Sequence, residues 1–377
     1  MLAAPMLADF ISPGELRRVL VIKLRHHGDV LLSAPVLSTL QRAAPQAEID
    51  ALVYADTRDM LAGHPALAQL HVIDRHWKRL GVVAQARAEW RLLSALRARR
   101  YDLIVHLTES RRGAWLTRWL RPRWAVAPRQ PGKFWRHSFT HLYPGANHPK
   151  RHTVESNLDA LRRLGLPPTE ADKRVVLVPG SAAESRIAAV LAEHRLGEQP
   201  FVHCHPASRW QFKCWPAAKM VATLDALAGQ GLAVVLTAAP EDGERALCAA
   251  IAAAAKAPVI DLSGQLNLKE LAALTARARL FVGVDSAPMH IAAAMGTPTV
   301  ALFGPSGDIE WGPWRVPSRV VASQVHPCRP CGLDGCGGGK ISECLSMLPE
   351  DEVIAACRSL LTESSSADAS GTGSAKL

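Results

Sequence analysis

An α/β fold with two doubly wound, mostly parallel sheets is what this sequence predicts, and three observations predict it. Short runs rich in β-branched residues alternate with segments of helical periodicity, which is the pattern of βα repetition. The alternation occurs in two series, separated by a polar, proline-bearing stretch at residues 161–173 (LRRLGLPPTEADK). At 377 residues the chain exceeds one ordinary domain, and with 48% hydrophobic and 21% charged residues it can bury two cores.

In the first series the segments 18–24 (RVLVIKL), 47–54 (AEIDALVY), 70–74 (LHVID), 101–107 (YDLIVHL) and 124–128 (WAVAP) read as strands. Between them lie segments such as 82–100 (VVAQARAEWRLLSALRARR), whose apolar residues recur at helical spacing. The second series comprises 173–179 (KRVVLVP), 200–206 (PFVHCHP), 232–238 (LAVVLTA), 257–262 (APVIDL), 278–285 (ARLFVGVD) and 298–304 (PTVALFG). The expected division is a first domain over 1–168 and a second over 169–362. The Ser, Gly and Ala rich tail 363–377 has no periodicity and is expected to be disordered.

The formal net charge of +10, from 44 Lys and Arg against 34 Asp and Glu, favours a polyanionic partner: nucleic acid, an anionic membrane surface or a phosphorylated substrate. Residues 1–18 carry no pattern of a secretion signal, and the Ala-rich run 246–258 is broken by Lys256, so a cytoplasmic protein without a membrane span is expected. The eight cysteines then read as thiols or metal ligands rather than disulfides.

Two loops carry candidate chemistry. Ligands of open parallel sheets bind beyond the carboxyl ends of the strands, which places Arg25, His26, His27, Gly28 and Asp29 where a ligand is expected. Gly28 permits a tight turn. Asp29 sits at the expected N-cap of a helix starting at Val30, where it either satisfies free N–H groups or stands ready to take a proton from a substrate hydroxyl. No G-x-G-x-x-G follows the first strand and no G-x-x-x-x-G-K-[ST] occurs, so the dinucleotide-fold dehydrogenase and P-loop readings lose support.

In the second series Asp285 and Ser286 open a helix whose free N–H groups suit a diphosphate. A carboxylate would repel phosphate, so Asp285 suits sugar hydroxyls or a helix cap. His290, one turn after Ser286, either faces the same ligand or packs at an interface. Upstream, Ser208, Arg209, Lys213 and Trp215 follow a strand, and Lys213 either neutralises a leaving phosphate or is a solvated loop lysine.

Four stretches, in order, are 22–40 (IKLRHHGDVLLSAPVLSTL), 208–224 (SRWQFKCWPAAKMVATL), 236–244 (LTAAPEDGE) and 281–314 (FVGVDSAPMHIAAAMGTPTVALFGPSGDIEWGPW). Together they resemble the heptosyltransferases of lipopolysaccharide core assembly, glycosyltransferase family 9. The His-His-Gly-Asp form of the first stretch is most similar to the type III members. The resemblance covers roughly residues 18–360. It implies a GT-B fold of two Rossmann-like domains facing a cleft, the acceptor bound by the first and ADP-heptose by the second, with inverting transfer. It further implies Asp29 as general base and Lys213 on the donor diphosphate. Ser208, Asp285, Ser286, Ala287, Pro288, Met289 and His290 fall at the donor site, and Glu241 or Asp242 near the adenosine ribose. Arg25, His26, His27 and Gly28 fall on the acceptor side.

The residues fit such a reaction. A single displacement needs a base on the acceptor and a positive charge at the leaving group, and domain closure would oppose Asp29 and Lys213 across the reacting carbon. No Asp-x-Asp pair is present to hold a metal-bound diphosphate, so metal-independent transfer without a cofactor is expected, with ADP-heptose as co-substrate. The basic, Trp-bearing stretch 111–152 is either a solvated face or a site for phosphorylated inner-core lipopolysaccharide and an anionic inner-membrane surface, with Arg111, Arg112, Lys133 and Arg136 as candidate contacts. The enzyme is accordingly expected in the cytoplasm, peripheral to the inner membrane. Cys328, Cys331, Cys336 and Cys344 have the spacing C-x2-C-x4-C-x7-C, open to a structural zinc, to packing thiols or to a local disulfide. The other four cysteines read as ordinary thiols. A nucleic-acid-binding protein using the charge and the thiols leaves the two α/β series unexplained, so no nucleic-acid partner is expected. Type I or II transfer, or transfer to another heptose-containing glycan, remains open.

Overall fold

The computed structural model describes residues 10–145, 151–197 and 199–369. Its chain divides into two compact units, Met1–Val178 and Pro179–Leu377.

The first unit runs β1 (Arg18–Ile22), α1 (His27–Leu31), α2 (Ala34–Ala43), β2 (Glu48–Tyr54), β3 (Leu67–Ile73), α3 (Val82–Arg99), β4 (Leu103–His106), α4 (Arg111–Leu120), β5 (Trp124–Pro128), α5 (Lys133–Arg136), β6 (His141–Tyr143) and α6 (Thr153–Arg163). Its strands form one parallel sheet in the order β3-β2-β1-β4-β5-β6. Helices cover both faces of such a sheet, so its central strands are apolar throughout rather than alternating, as Val19–Ile22 and Leu103–Val105 are. Gly113 lets α4 cross directly over the end of β4: a Cβ there would lie 1.8 Å from Nε2 of the buried His106. That imidazole is stacked on Phe139 at 5.5 Å.

The second unit runs α7 (Ser181–Glu193), β7 (Phe201–His205), α8 (Ala217–Ala228), β8 (Ala233–Leu236), α9 (Asp242–Ala254), β9 (Val259–Asp261), α10 (Leu268–Thr275), β10 (Leu280–Val284), α11 (Ala287–Ala294), β11 (Thr299–Phe303), α12 (Asp308–Trp311), β12 (Ser318–Ala322), α13 (Glu343–Ser346) and α14 (Glu350–Ala369). Its sheet is again parallel, in the order β12-β11-β10-β7-β8-β9. Val202, Cys204, Val234 and Val282 pack on one face with residues of α8, α9 and α14, while Phe201 and Val235 pack on the other with α7 and α10.

Both sheets therefore have the doubly wound order, and each reverses its direction of growth once: between β1 and β4, and between β7 and β10. Ligand sites of such sheets form at that reversal, outside the carboxyl ends of the strands. The loops after β1, β4, β7 and β10 start there.

The structure departs from the sequence reading at four places. Residues 174–180 are not a strand. Val175 and Leu177 are buried by packing rather than by ladder pairing, and Pro179 and Gly180, the latter at φ +89°, end the run. The stretch 161–173 belongs to the first unit, held by Arg42–Asp172 at 2.6 Å and Lys173–Glu155 at 3.0 Å, so the division falls after Val178 and not after residue 168. The edge strands β6 and β12 were not expected, and β6 has only three residues, too few for a period to register. The last helix extends to Ala369, into the tail 363–377 expected to be disordered. Residues 370–377 lie outside the described residues, as do positions 146–150 of the basic stretch.

Candidate active site

In the first unit the chain leaves β1 through Lys23 and Leu24 and enters α1 at His27, with His26 as its N-cap. Asp29 is thus the third residue of the helix, inside its first turn, and not the cap before Val30. The helix begins three residues earlier than its apolar pattern suggested, because His27 and Gly28 enter the turn. No side-chain capping bond forms there, so the Asp29 carboxylate is not consumed in holding the helix end.

Asp29 is 14% exposed and lies 3.7 Å from the Arg25 guanidinium. Beneath it is Lys23, 5% exposed, which donates to the Leu107 carbonyl at 3.1 Å and to Asn157 Oδ1 at 3.0 Å. Burial lowers the Lys23 pKa to about 8, and the nearby Asp29 charge opposes that fall. Two cations therefore flank the carboxylate. The sequence reading passed over Lys23, although a lysine inside the apolar run RVLVIKL was a signal, since buried lysines are rare without partners. The loop is also pinned from outside: His27 Nε2 donates to the Asp56 carbonyl at 2.9 Å, and Arg75 pairs with Asp56 at 2.7 Å.

The basic candidates of this unit stand after β4 and β5. Arg111 is exposed in the first turn of α4. Arg112 is held between both carboxylate oxygens of Glu89 at 2.6 and 2.5 Å, which ties α4 to α3 and occupies that guanidinium. Lys133 and Arg136 are exposed on α5.

In the second unit two candidates 72 residues apart meet: Lys213 Nζ donates to Asp285 Oδ2 at 2.6 Å, with the side chains 22% and 8% exposed. Lys213 ends a short turn (Gln211–Lys213) after β7, and Asp285 follows β10, so the pair stands at the reversal point of this sheet. Ser208 accepts from the Trp210 N–H at 3.3 Å. Ser286 is the N-cap of α11 by position, yet its hydroxyl donates back to the Val284 carbonyl at 3.3 Å and makes no capping bond. The N–H groups opening α11 are thereby left without a side-chain cap, next to Ala287 and Pro288. Met289 is fully buried against Phe281 and Phe303, so of the expected donor contacts its side chain is a core residue. His290 is also buried, edge-on to Trp311 at 6.4 Å.

The acidic loop before α9 differs from expectation. The Asp242 carboxylate is 97% exposed and paired with Arg245 at 2.7 Å, and Glu241 is exposed at the N-cap without a capping bond. Glu244, not singled out by sequence, turns back to accept from the Ala239 N–H at 3.3 Å, and burial raises its pKa.

Cys328, Cys331 and Cys336 are exposed while Cys344 is buried, all four as free thiols. Among the described residues no group of three or more His, Cys, Asp or Glu is arranged to hold a metal ion, so the ligand-like spacing does not become a ligand set in space. Nor is any described helix long and apolar enough to cross a membrane.

Comparison with known proteins identifies the family and the fold. Residues 89–340 match the family model described as glycosyltransferase family 9 (heptosyltransferase). A protein named lipopolysaccharide heptosyltransferase 3, from Escherichia coli strain K12, is 37% identical over 350 residues, covering 90% of this chain and 97% of its own length. Among solved structures, a glycosyl transferase family 9 protein from Veillonella parvula superposes with a TM-score of 0.81 at 22% identity, over 94% of this chain and 99% of that one. The E. coli ADP-heptose lps heptosyltransferase II superposes with a TM-score of 0.72 at 23% identity, over 92% and 99%. These two likenesses establish the two-sheet GT-B fold.

Proposed function

This chain belongs to glycosyltransferase family 9, the heptosyltransferases, and from that premise we propose that it transfers heptose from ADP-heptose to an inner-core heptose of lipopolysaccharide, as a type 3 enzyme. One observation carries the reading: near full-length identity of 37% to a lipopolysaccharide heptosyltransferase 3.

The chemistry divides between the units. On the first, the acceptor hydroxyl loses its proton to Asp29 as its oxygen bonds to the anomeric carbon. On the second, ADP departs from the opposite side of that carbon, which inverts the configuration. Charge accumulating on the diphosphate meets the Lys213 ammonium and the uncapped N–H groups of α11. Before donor binds, Asp285 holds Lys213 at 2.6 Å. Phosphate oxygens compete for that ammonium, and Asp285 is then available to accept a sugar hydroxyl. A fixed cation and a helix terminus do here what a metal ion does elsewhere, so the reaction proceeds in EDTA.

The acceptor is anionic, and α4 is built to meet an anion. Arg111 is exposed in a helix first turn that contains no acid, where positive charge opposes the helix dipole unless an anion neutralises it, whereas the neighbouring Arg112 is already paired with Glu89. The decisive assay combines purified protein, ADP-heptose and a series of truncated core acceptors in EDTA, read by mass spectrometry. One heptose is added to the acceptor already carrying two. Transfer to an earlier acceptor would move the enzyme within its family, and no transfer even with metal restored would overturn the donor.

We also assign the membrane-facing surface to α3–α5. Val82, Val83, Trp90 and Trp115 are 86, 75, 66 and 64% exposed. Trp115 also lines a cavity of about 710 Å³, together with Arg97, Arg118, Trp119, Arg121 and His137. Exposed apolar and aromatic side chains with arginines at their margin suit an anionic bilayer interface, and a cytoplasmic enzyme peripheral to the inner membrane follows. The double variant Trp90→Glu/Trp115→Glu is expected to lose cosedimentation with phosphatidylglycerol vesicles while keeping its rate on a deacylated, water-soluble acceptor. Unchanged sedimentation would rule this surface out.

A further inference from the structure

His203 and His205 lie two apart in β7, hence on one face of the sheet. They are 0% and 5% exposed, and their partners are hydroxyls. Thr237 Oγ1 lies 2.7 Å from His203 Nε2 and 2.9 Å from His205 Nδ1. Thr275 Oγ1 lies 3.0 Å from His203 Nδ1 and 2.6 Å from the Leu271 carbonyl oxygen.

These contacts determine every proton in the chain. A carbonyl can only accept, so Thr275 gives its single hydroxyl proton to Leu271. The contact from Thr275 to His203 is then an Nδ1–H donating to the hydroxyl oxygen. Burial lowers the pKa of His203 to about 3 and of His205 to about 4, so at neutral pH each ring holds one proton. His203 Nε2 is therefore bare and accepts the Thr237 hydroxyl proton. Thr237, its proton spent, accepts from His205 Nδ1–H. What remains is the bare Nε2 of His205, a lone pair of fixed identity on a ring whose one hydrogen bond runs through Nδ1.

Its position gives this lone pair a meaning. His205 ends β7 and is paired in register with Gly283 of β10, two residues before Asp285. It stands at the reversal point of the sheet, on the strand whose following loop carries Lys213. A lone pair repels phosphate oxygen and takes a hydroxyl. The cations and helix N–H groups of this site suit the diphosphate, while a neutral acceptor suits a sugar.

We propose that His205 Nε2 accepts a hydrogen bond from a sugar hydroxyl of the nucleotide-sugar donor, and that Thr237, His203 and Thr275 act as positioning residues holding it in the Nδ1–H tautomer. This rests on the second unit being the donor-binding half. Two sugars of the donor, the ribose and the transferred heptose, present such hydroxyls.

The test uses full-length protein labelled with 15N in its imidazoles, with calorimetric titration of ADP and of ADP-heptose. In the unaltered protein His205 shows the Nδ1–H tautomer, and its bare Nε2 resonance moves on ligand addition. His205→Ala weakens donor binding roughly three- to tenfold, the value of one neutral hydrogen bond, raising the donor KM with kcat little changed. Thr237→Val gives the same loss by freeing the tautomer, and Thr237→Ser restores it, which a packing role for the methyl would not predict. Equal losses for ADP and ADP-heptose assign the ribose, and a loss confined to ADP-heptose assigns the heptose. An unmoved Nε2 resonance in the saturated complex, or unaltered binding of both ligands by His205→Ala, overturns the proposal. Unaltered protein that binds neither ligand fails the donor assignment itself, and the proposal with it.

Discussion

Asp29→Asn lowers kcat for heptosyl transfer by roughly 10²- to 10⁴-fold, the usual worth of general-base assistance, and leaves the donor KM nearly unchanged. The amide keeps the shape of the carboxylate but cannot take the acceptor proton. Stability is expected to hold, since Asp29 makes no capping bond to α1 and its contact with Arg25 is 3.7 Å long. The substitution has a second consequence on the same unit. The Asp29 charge props up the pKa of Lys23, so its loss lets burial depress that lysine further below about 8. Steady-state kinetics on saturating donor, alongside thermal unfolding, separate the two effects. A variant within threefold of the unaltered rate would leave Asp29 without a role as base.

Lys213→Ala is expected to cost roughly 10²- to 10³-fold in kcat/KM, the scale seen when one electrostatic donor to a transition state is removed. It also strands the Asp285 carboxylate, 8% exposed, without its cation at 2.6 Å. That loss destabilises the fold by roughly 1–3 kcal/mol. The double variant Lys213→Ala/Asp285→Asn separates the contributions, because the neutral amide no longer needs the ammonium. If Lys213 serves the leaving diphosphate, unfolding returns toward its original midpoint while activity stays low. Recovery of both together would reduce the pair to a structural ion pair.

The two candidate sites were unequally legible. Asp29 could be found from sequence because its neighbours are local: a strand end, a glycine and a helix start within five residues. Its position as the third residue of α1, within the first turn, could not, since helix entry depended on how His27 reached the Asp56 carbonyl from a different strand's loop. Lys213 and Asp285 were each legible as charged residues after strands, but their 2.6 Å pairing is a product of β7 lying beside β10. Met289 was named with the motif that opens α11, yet its side chain is buried against Phe281 and Phe303, which the packing of α11 on β10 decides. Glu241 and Asp242 were named for their loop by resemblance, and the fold leaves both in solvent while Glu244 turns back onto the Ala239 N–H. The cysteine spacing left a metal site, packing thiols or a disulfide open, and the fold places Cys344 inside and the other three outside, all as free thiols.

What the sequence determined alone is the alternation of buried strand and amphipathic helix, the doubling of that alternation, and the motif residues at strand ends. Each follows from periodicity and side-chain chemistry over a few consecutive positions. The tertiary structure decided which strands adjoin, that residues 174–180 pack without pairing, that Lys23 lies beneath Asp29, and that a chain of four side chains leaves His205 with one bare nitrogen. Each depends on contacts between residues tens of positions apart, as Lys23 is held by Leu107 and Asn157, and their energies depend on distances that only the closed sheet supplies.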